Sequence, residues 1–282
     1  MIYKLTEKNL TTRKQRNFEI NFEIKDFCCV GDNLFFLHDD GIGKMNNGDC
    51  NPDWRYELTY TEKPDFSTFS SICYNSSYDC LYIVSEGGSR IHKVDLELMD
   101  FENLISKNSA KQFRRKVLGR SDSRTYVTSL ENQVIWSTTN CHRCFIMNEE
   151  NAFPLIGCGK AGFSISNLKN TRISKPTGVA IMGKTVCFAD SGNNCLRGIR
   201  KNSTYTIIDD CKDLKDIYYV KNKLFFLSDN TVHMLSSEGD ATHLFEIYKV
   251  GNKILTFCPS DNGCVYILEE YYVESPEEAE SY

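Results

Sequence analysis

The chain has 282 residues, of which 41% are hydrophobic, 12% aromatic and 25% charged, with a formal net charge of −5. No run approaches the roughly 18 apolar residues that a membrane-spanning helix needs, so no membrane partner is expected. The N-terminus, MIYKLTEKNLTTRKQR, has no apolar leader core, which places the expected chain in the cytoplasm, with a nuclear location left open.

Two strand-like runs come first, Ile2–Leu5 and Asn17–Ile24, in a basic segment where Lys4, Lys8, Arg13, Lys14 and Arg16 stand against Glu7. A first unit follows: the apolar strand Phe27–Val30, a Gly31-Asp32-Asn33 turn, and LFFLHDDGIGKM from Leu34. LYIVSEGGSRIHKV at 81–94 repeats the rhythm of apolar strand, polar hairpin and apolar strand. The long connection after it holds LELMDFENLI, whose spacing suits a short amphipathic helix. It also holds a basic run, Lys111, Phe113, Arg114, Arg115 and Lys116 with Arg120 and Arg124.

VIWSTTNCHRCFIM at 134–147 is the third unit and aligns without a gap on 186–199 of the fourth. The fourth, 171–199, is the fullest: Pro176 and Gly178 at the strand start, an apolar strand around Val179–Ile181, a glycine turn, Val186–Ala189, the hairpin Asp190 to Asn194, and a strand from Leu196. Gly and Asn there tolerate the positive φ that tight hairpins need. LFFLSDNTVHML from Leu224 and LTFCPSDNGCVYIL from Leu255 complete six units, each with an apolar strand before it, Ile217–Val220 and Ile247–Val250. The short spacing of the fifth and sixth predicts that they lack a full fourth strand.

A strand-turn-strand unit of this kind cannot bury both faces alone and is stable only when stacked radially on its neighbours. Six units in this length leave about 45 residues each, within the range of propeller blades. The expected fold is therefore all-β, a six-bladed propeller over 1–270 with blade cores near 24–46, 68–95, 122–148, 172–200, 214–237 and 244–270. One N-terminal strand is expected to complete the sixth blade, since open sheet edges would otherwise remain. The segment 171–199, led by GCGKAGF at 157–163, resembles an NHL repeat, and Arg143 falls where that family carries Arg. The resemblance implies a propeller of NHL-repeat type.

Thirteen cysteines, an odd number lying mostly in strands such as those at Cys28, Cys29, Cys73, Cys187 and Cys258, read as reduced core residues. Cys141-His142-Arg143-Cys144 has the spacing of half a zinc site, but no second pair exists, so it reads as a hairpin. His92 and His233 sit beside polar neighbours and are expected to face outward. No catalytic set, metal site or cofactor is expected, and a small-molecule partner is not.

The function expected is a non-enzymatic scaffold that binds protein partners through propeller loops and faces, because rigid sheets carrying variable hairpins place recognition in loops. The binding residues expected are Lys111, Phe113, Arg114, Arg115, Lys116 and Arg120. The acidic segment 269–282 holds six glutamates and no Lys or Arg. Its composition over 271–282 predicts a disordered tail. Two alternatives stand. One is RNA binding by the loop 111–124, since NHL propellers of tripartite-motif proteins bind RNA through a positive face and Phe113 among basic residues suits stacking on a base. The other is a calcium-dependent enzyme resembling lactonases or amidating lyases, with Glu86, Asp190 and Asp229 as carboxylate candidates.

Overall fold

Twenty-three strands and three single-turn 3-10 helices occupy the described residues of the computed structural model, which are 2–46, 64–98, 100–104, 124–148, 151–238 and 241–271. They form six antiparallel sheets, five of four strands and one of three among the described residues. Each sheet is a blade, and four of the blades run through consecutive strands from an inner first strand to an outer fourth.

Blade 1 comprises Asp26–Val30, Asn33–His38 and Gly41–Asn46. Blade 2 comprises Phe69–Asn75, Cys80–Ser85, Ile91–Asp95 and Phe101–Asn103. Blade 3 comprises Thr125–Leu130, Gln133–Thr138, Arg143–Asn148 and Asn151–Ile156, and blade 4 comprises Pro176–Met182, Thr185–Asp190, Cys195–Arg200 and Ser203–Ile208. Blade 5 comprises Ile217–Val220, Lys223–Ser228, Thr231–Glu238 and Ala241–Lys249.

Blade 6 is built from both ends of the chain. Ile254–Pro259 is its inner strand and Cys264–Tyr271 its second, while Ile2–Asn9 and Gln15–Ile20 add the third and fourth. Eight residue pairs, from Ile2↔Tyr271 to Asn9↔Cys264, join the two ends. This closes the ring as a propeller must, by leaving no unpaired sheet edge at the seam.

The sequence patterning explains the stacking. Side chains alternate along each strand, so successive apolar residues face opposite neighbours. In LFFLS, Leu224 and Phe226 pack against blade 4, whereas Phe225 and Leu227 pack against blade 6. Six such clusters form, one in each gap between adjacent blades.

Several expectations need correction. The fifth blade does have a fourth strand, because Ala241–Lys249 pairs with Thr231–Glu238. Ile247–Val250 is therefore the end of that outer strand rather than the start of the sixth unit, and the expected blade core at 244–270 shifts to 254–271. Both N-terminal runs join blade 6, not one. LELMDFENLI contains the outer strand Phe101–Asn103, since Asp95 accepts from the N–H groups of Glu97 and Leu98 to form a turn instead of a helix. His92 is buried, stacked on Phe101 with ring centroids 4.5 Å apart and edge-on to Phe69. His233 is half-buried against Phe226. Glu269, grouped by sequence with the acidic end, is fully buried in blade 6, where it accepts from Thr6 Oγ1 at 3.1 Å and Tyr248 OH at 2.7 Å.

Chain direction fixes two faces. Inner strands start at one of them, so every described connection between blades emerges there, including 21–25, 157–175, 209–216 and 250–253. This is called the loop face. The turns between first and second strands, such as Gly31-Asp32 and Gly183-Lys184, emerge at the opposite turn face.

Candidate interaction face and central channel

Each inner strand has one residue facing the fourth position of its second strand: Phe27↔Phe36, Ile72↔Ile83, Val127↔Trp136, Val179↔Phe188, Ile217↔Phe226 and Phe257↔Ile267. The residues just before these, Asp26, Ser71, Tyr126, Gly178, Asp216 and Thr256, form one level of the channel near the loop face. Gly178 is required there by close approach. A Cβ on it would stand 2.4 Å from the Lys215 carbonyl oxygen that its own N–H reaches at 2.7 Å.

Asp26 ties three blades together. Its Oδ2 accepts from Ser71 Oγ at 2.7 Å and from the Ile72 N–H at 3.0 Å, and Ser71 Oγ in turn accepts from the Val127 N–H at 3.2 Å. Burial, then the Asp216 carboxylate, pushes Asp26 up to about 7, against the lowering effect of Ser71, Ile72 and Arg124. Asp216 is raised by burial too, opposed mainly by Arg124. The Thr256 hydroxyl, on the neighbouring inner strand, favours its charged form through a side-chain hydrogen bond. Arg124 stands exposed at the rim, its guanidinium 5.1 Å from the Tyr126 ring centroid.

At the turn face the channel widens into a cavity of about 460 Å³ whose walls include Cys29, Cys73, Tyr74, Ser129, Tyr218 and Cys258. No two of the twelve described cysteines form a disulfide with each other, and only Cys29 and Cys158 are not buried.

The best-anchored feature of the loop face is the connection 157–175 between blades 3 and 4. Arg143 donates from Nε to the Gly157 carbonyl at 3.2 Å and from Nη2 to that of Cys158 at 3.1 Å. Arg197, fully buried, donates from Nη2 to Ser164 O at 2.8 Å and from Nη1 to Arg172 O at 3.3 Å. The same guanidinium pairs with the buried Asp190 at 2.9 Å and lies 4.7 Å from the Phe163 ring centroid. Asn193 Nδ2 reaches Gly162 O at 3.0 Å. Gly157 has a φ of +102°, and a Cβ there would meet the His142 carbonyl at 2.3 Å. Thus held, the loop leaves Phe163 53% and Ile165 61% exposed. Lys160, Lys169, Arg172 and Lys175 of the same loop are exposed, and 157–175 contains no Asp or Glu.

The binding residues expected from sequence, Lys111, Phe113, Arg114, Arg115, Lys116 and Arg120, lie outside the described residues, as do 272–282. Arg124 is described, and its guanidinium lies over the Tyr126 ring. Of the carboxylate candidates for an enzyme, Asp190 is a buried partner of Arg197, Asp229 is an exposed hairpin residue with a φ of +47°, and Glu86 falls in the turn Glu86–Gly88. None of the three belongs to the channel level. Cys141 and Cys144 flank the hairpin leading into the third strand of blade 3, and burial raises the Cys144 thiol. No group of three or more His, Cys, Asp and Glu side chains is placed to hold a metal ion among the described residues. No described helix is long and apolar enough to cross a membrane. The two channel carboxylates were not singled out from sequence. The signal was there, because KDFCCV at 25–30 and KDIYYV at 215–220 place Lys-Asp before the same inner-strand position.

No family model and no curated protein matches the sequence. Solved structures match the fold. A Bacteroides thetaiotaomicron protein of unknown function is similar over 92% of this chain and 62% of that one, at 11% identity and a TM-score of 0.57. This chain thus spans less than two thirds of that structure's length. A chain of the nidogen–laminin complex is similar over 86% and 93%, at 11% identity and 0.56, and YCF48 from Cyanidioschyzon merolae over 91% and 83%, at 10% and 0.56. At these identities the likeness concerns the six-bladed propeller fold.

Proposed function

We propose that the chain is a non-enzymatic scaffold that binds a protein partner on its loop face, in the cytoplasm as the sequence suggests. One observation carries this reading: a loop fixed by two arginines holds Phe163 and Ile165 out in water. Covering a large apolar side chain is worth about 1.5–3 kcal/mol, and a loop already ordered loses little further entropy on binding. Such preorganised apolar anchors are what protein interfaces concentrate their energy in. A propeller of similar shape stands in the nidogen–laminin complex, which supports the architecture as a partner platform.

RNA binding by the basic loop 111–124, the function suggested by the NHL resemblance, is the second reading. It gains less support, because Arg124, the described residue of that loop, already lays its guanidinium over Tyr126 at 5.1 Å. The lactonase-like reading gains none from Glu86, Asp190 and Asp229, which sit at separate places.

The test is capture of partners by the tagged chain from its own host, with and without RNase, for wild type and Phe163→Ser/Ile165→Ser. Stoichiometric proteins that resist RNase and are lost from the double variant, at an unchanged thermal midpoint, are expected. Partners that depend on RNA, or that ignore both substitutions, would remove the proposal.

A further inference from the structure

We infer that the partner segment taken by the loop 157–175 is an acidic peptide carrying apolar anchor residues. The inference rests on the scaffold reading and adds the chemistry of the partner. Phe163 and Ile165 form the apolar centre of the patch. Ser164, between them, is fixed from both sides, since its N–H donates to Arg172 O and its hydroxyl accepts from the Arg172 N–H. Arg172 therefore lies directly beside the anchors, and a Cβ on Gly162 would touch its Cδ at 3.2 Å.

Four exposed cations, Lys160, Lys169, Arg172 and Lys175, share the loop with this apolar pair, and the loop has no acidic residue. An exposed cation gains little from a single ion pair in water, but a same-sign field over one patch steers an oppositely charged partner and fixes its register. The patch is bounded on one side. The next connection on the same face, 209–216, carries exposed Asp209, Asp210 and Asp213, which would repel an acidic segment and confine it to the basic sector.

A nucleic acid would meet the same charges, but the apolar centre suits it poorly. The Arg197 guanidinium, 4.7 Å from the Phe163 ring centroid, leaves at most one face of that ring for a base. Ile165, the more exposed of the two anchors, offers no stacking surface at all. A leucine or phenylalanine of a peptide can cover both side chains, while flanking carboxylates reach the lysines.

The probe is a fluorescent synthetic peptide, Glu-Asp-Glu-Leu-Glu-Asp-Phe-Glu-Asp-Glu, read by anisotropy on the full chain. Its counterpart with every acid replaced by the amide, and poly(U), serve as comparisons. Saturable binding is expected, weakened about tenfold or more by Lys160→Glu/Lys169→Glu/Lys175→Glu, by Phe163→Ser/Ile165→Ser, and by the amide peptide. Arg13→Glu/Lys14→Glu changes a basic pair in the turn on the opposite face and should leave affinity within about twofold. Equal losses from that control would reduce the effect to bulk charge and overturn the inference. So would absence of binding, indifference to both loop variants, or displacement of the peptide by poly(U) in a loop-dependent way. If the peptide fails while loop-dependent capture of a protein succeeds, only the acidic chemistry falls and the scaffold reading stands.

Discussion

Asp26 shows how a single residue reports the physics of the channel. The fold takes its carboxylate out of water, gives it three donors, the Ser71 hydroxyl and the Phe27 and Ile72 N–H groups, and sets Asp216 within electrostatic reach, and the balance lifts it to about 7 from an ordinary value of 3.8. A native group that holds its proton to higher pH than the unfolded chain stabilises the fold at low pH and loses that contribution as pH rises through the window from about 4 to 7. Asp26→Asn keeps an oxygen for the Ile72 N–H and removes the titration. The variant should therefore gain on wild type by an amount on the order of a few kcal/mol between pH 4 and pH 8, read as the difference in thermal midpoints at the two ends. A difference that does not change with pH would mean that Asp26 titrates as it does in water. The residue was legible only in part. Lys-Asp before an apolar strand recurs at 25–26 and 215–216, but a charged residue ahead of a strand reads as a solvated turn until the ring is closed around it.

At the scale of elements, the second and third strands of the blades were the plainest, because an apolar run, a short polar hairpin and another apolar run leave a period-two signature. Outer strands carried less signal. Ala241–Lys249 keeps Leu244 and Phe245 exposed and ends in the apolar run Ile247-Tyr248, so its sequence mimics the start of a new blade. The connection 157–175 was visible as a glycine-rich lead, yet nothing local announced that Arg197, some thirty residues on, would lock it. That lock is testable. Arg197→Met strips Asp190 of its buried counter-charge and frees the Ser164 and Arg172 carbonyls, a change of a kind that costs about 3–5 kcal/mol. A lower thermal midpoint and faster hydrogen exchange across 162–172 are expected. Asp190→Asn in the same chain should restore part of the stability without restoring protection of the loop. Exchange in 162–172 that stays at the wild-type rate would show that Arg197 does not hold it.

The whole molecule depends on a seam made from its two ends. Ile2–Asn9 lies between Cys264–Tyr271 and Gln15–Ile20, and Tyr3, Leu5 and Ile20 pack with Phe27, Phe36 and Leu268 across the gap between blades 6 and 1. On the other side of blade 6, toward blade 5, Thr6, Tyr248 and Glu269 add a buried polar contact, and Lys8 Nζ reaches the Ile247 carbonyl at 2.6 Å. A chain lacking 1–20 loses two strands, exposes an apolar sheet edge and leaves Glu269 without Thr6. It should lose its cooperative thermal transition and aggregate, and a synthetic peptide of residues 1–24 added during refolding should recover it. The register makes a second arrangement available. Ile2 faces Tyr271 directly, so a short glycine-rich turn can join 271 to 2 as an ordinary hairpin, and new ends can be opened in the exposed Asp39-Asp40 turn. That permutant should keep the wild-type strand signal in circular dichroism and melt at or above the wild-type midpoint, because the seam becomes a covalent hairpin and blade 6 no longer relies on meeting of distant ends. If the truncated chain melts like wild type, or the permutant fails to fold while expressing well, the ring is not held by this seam.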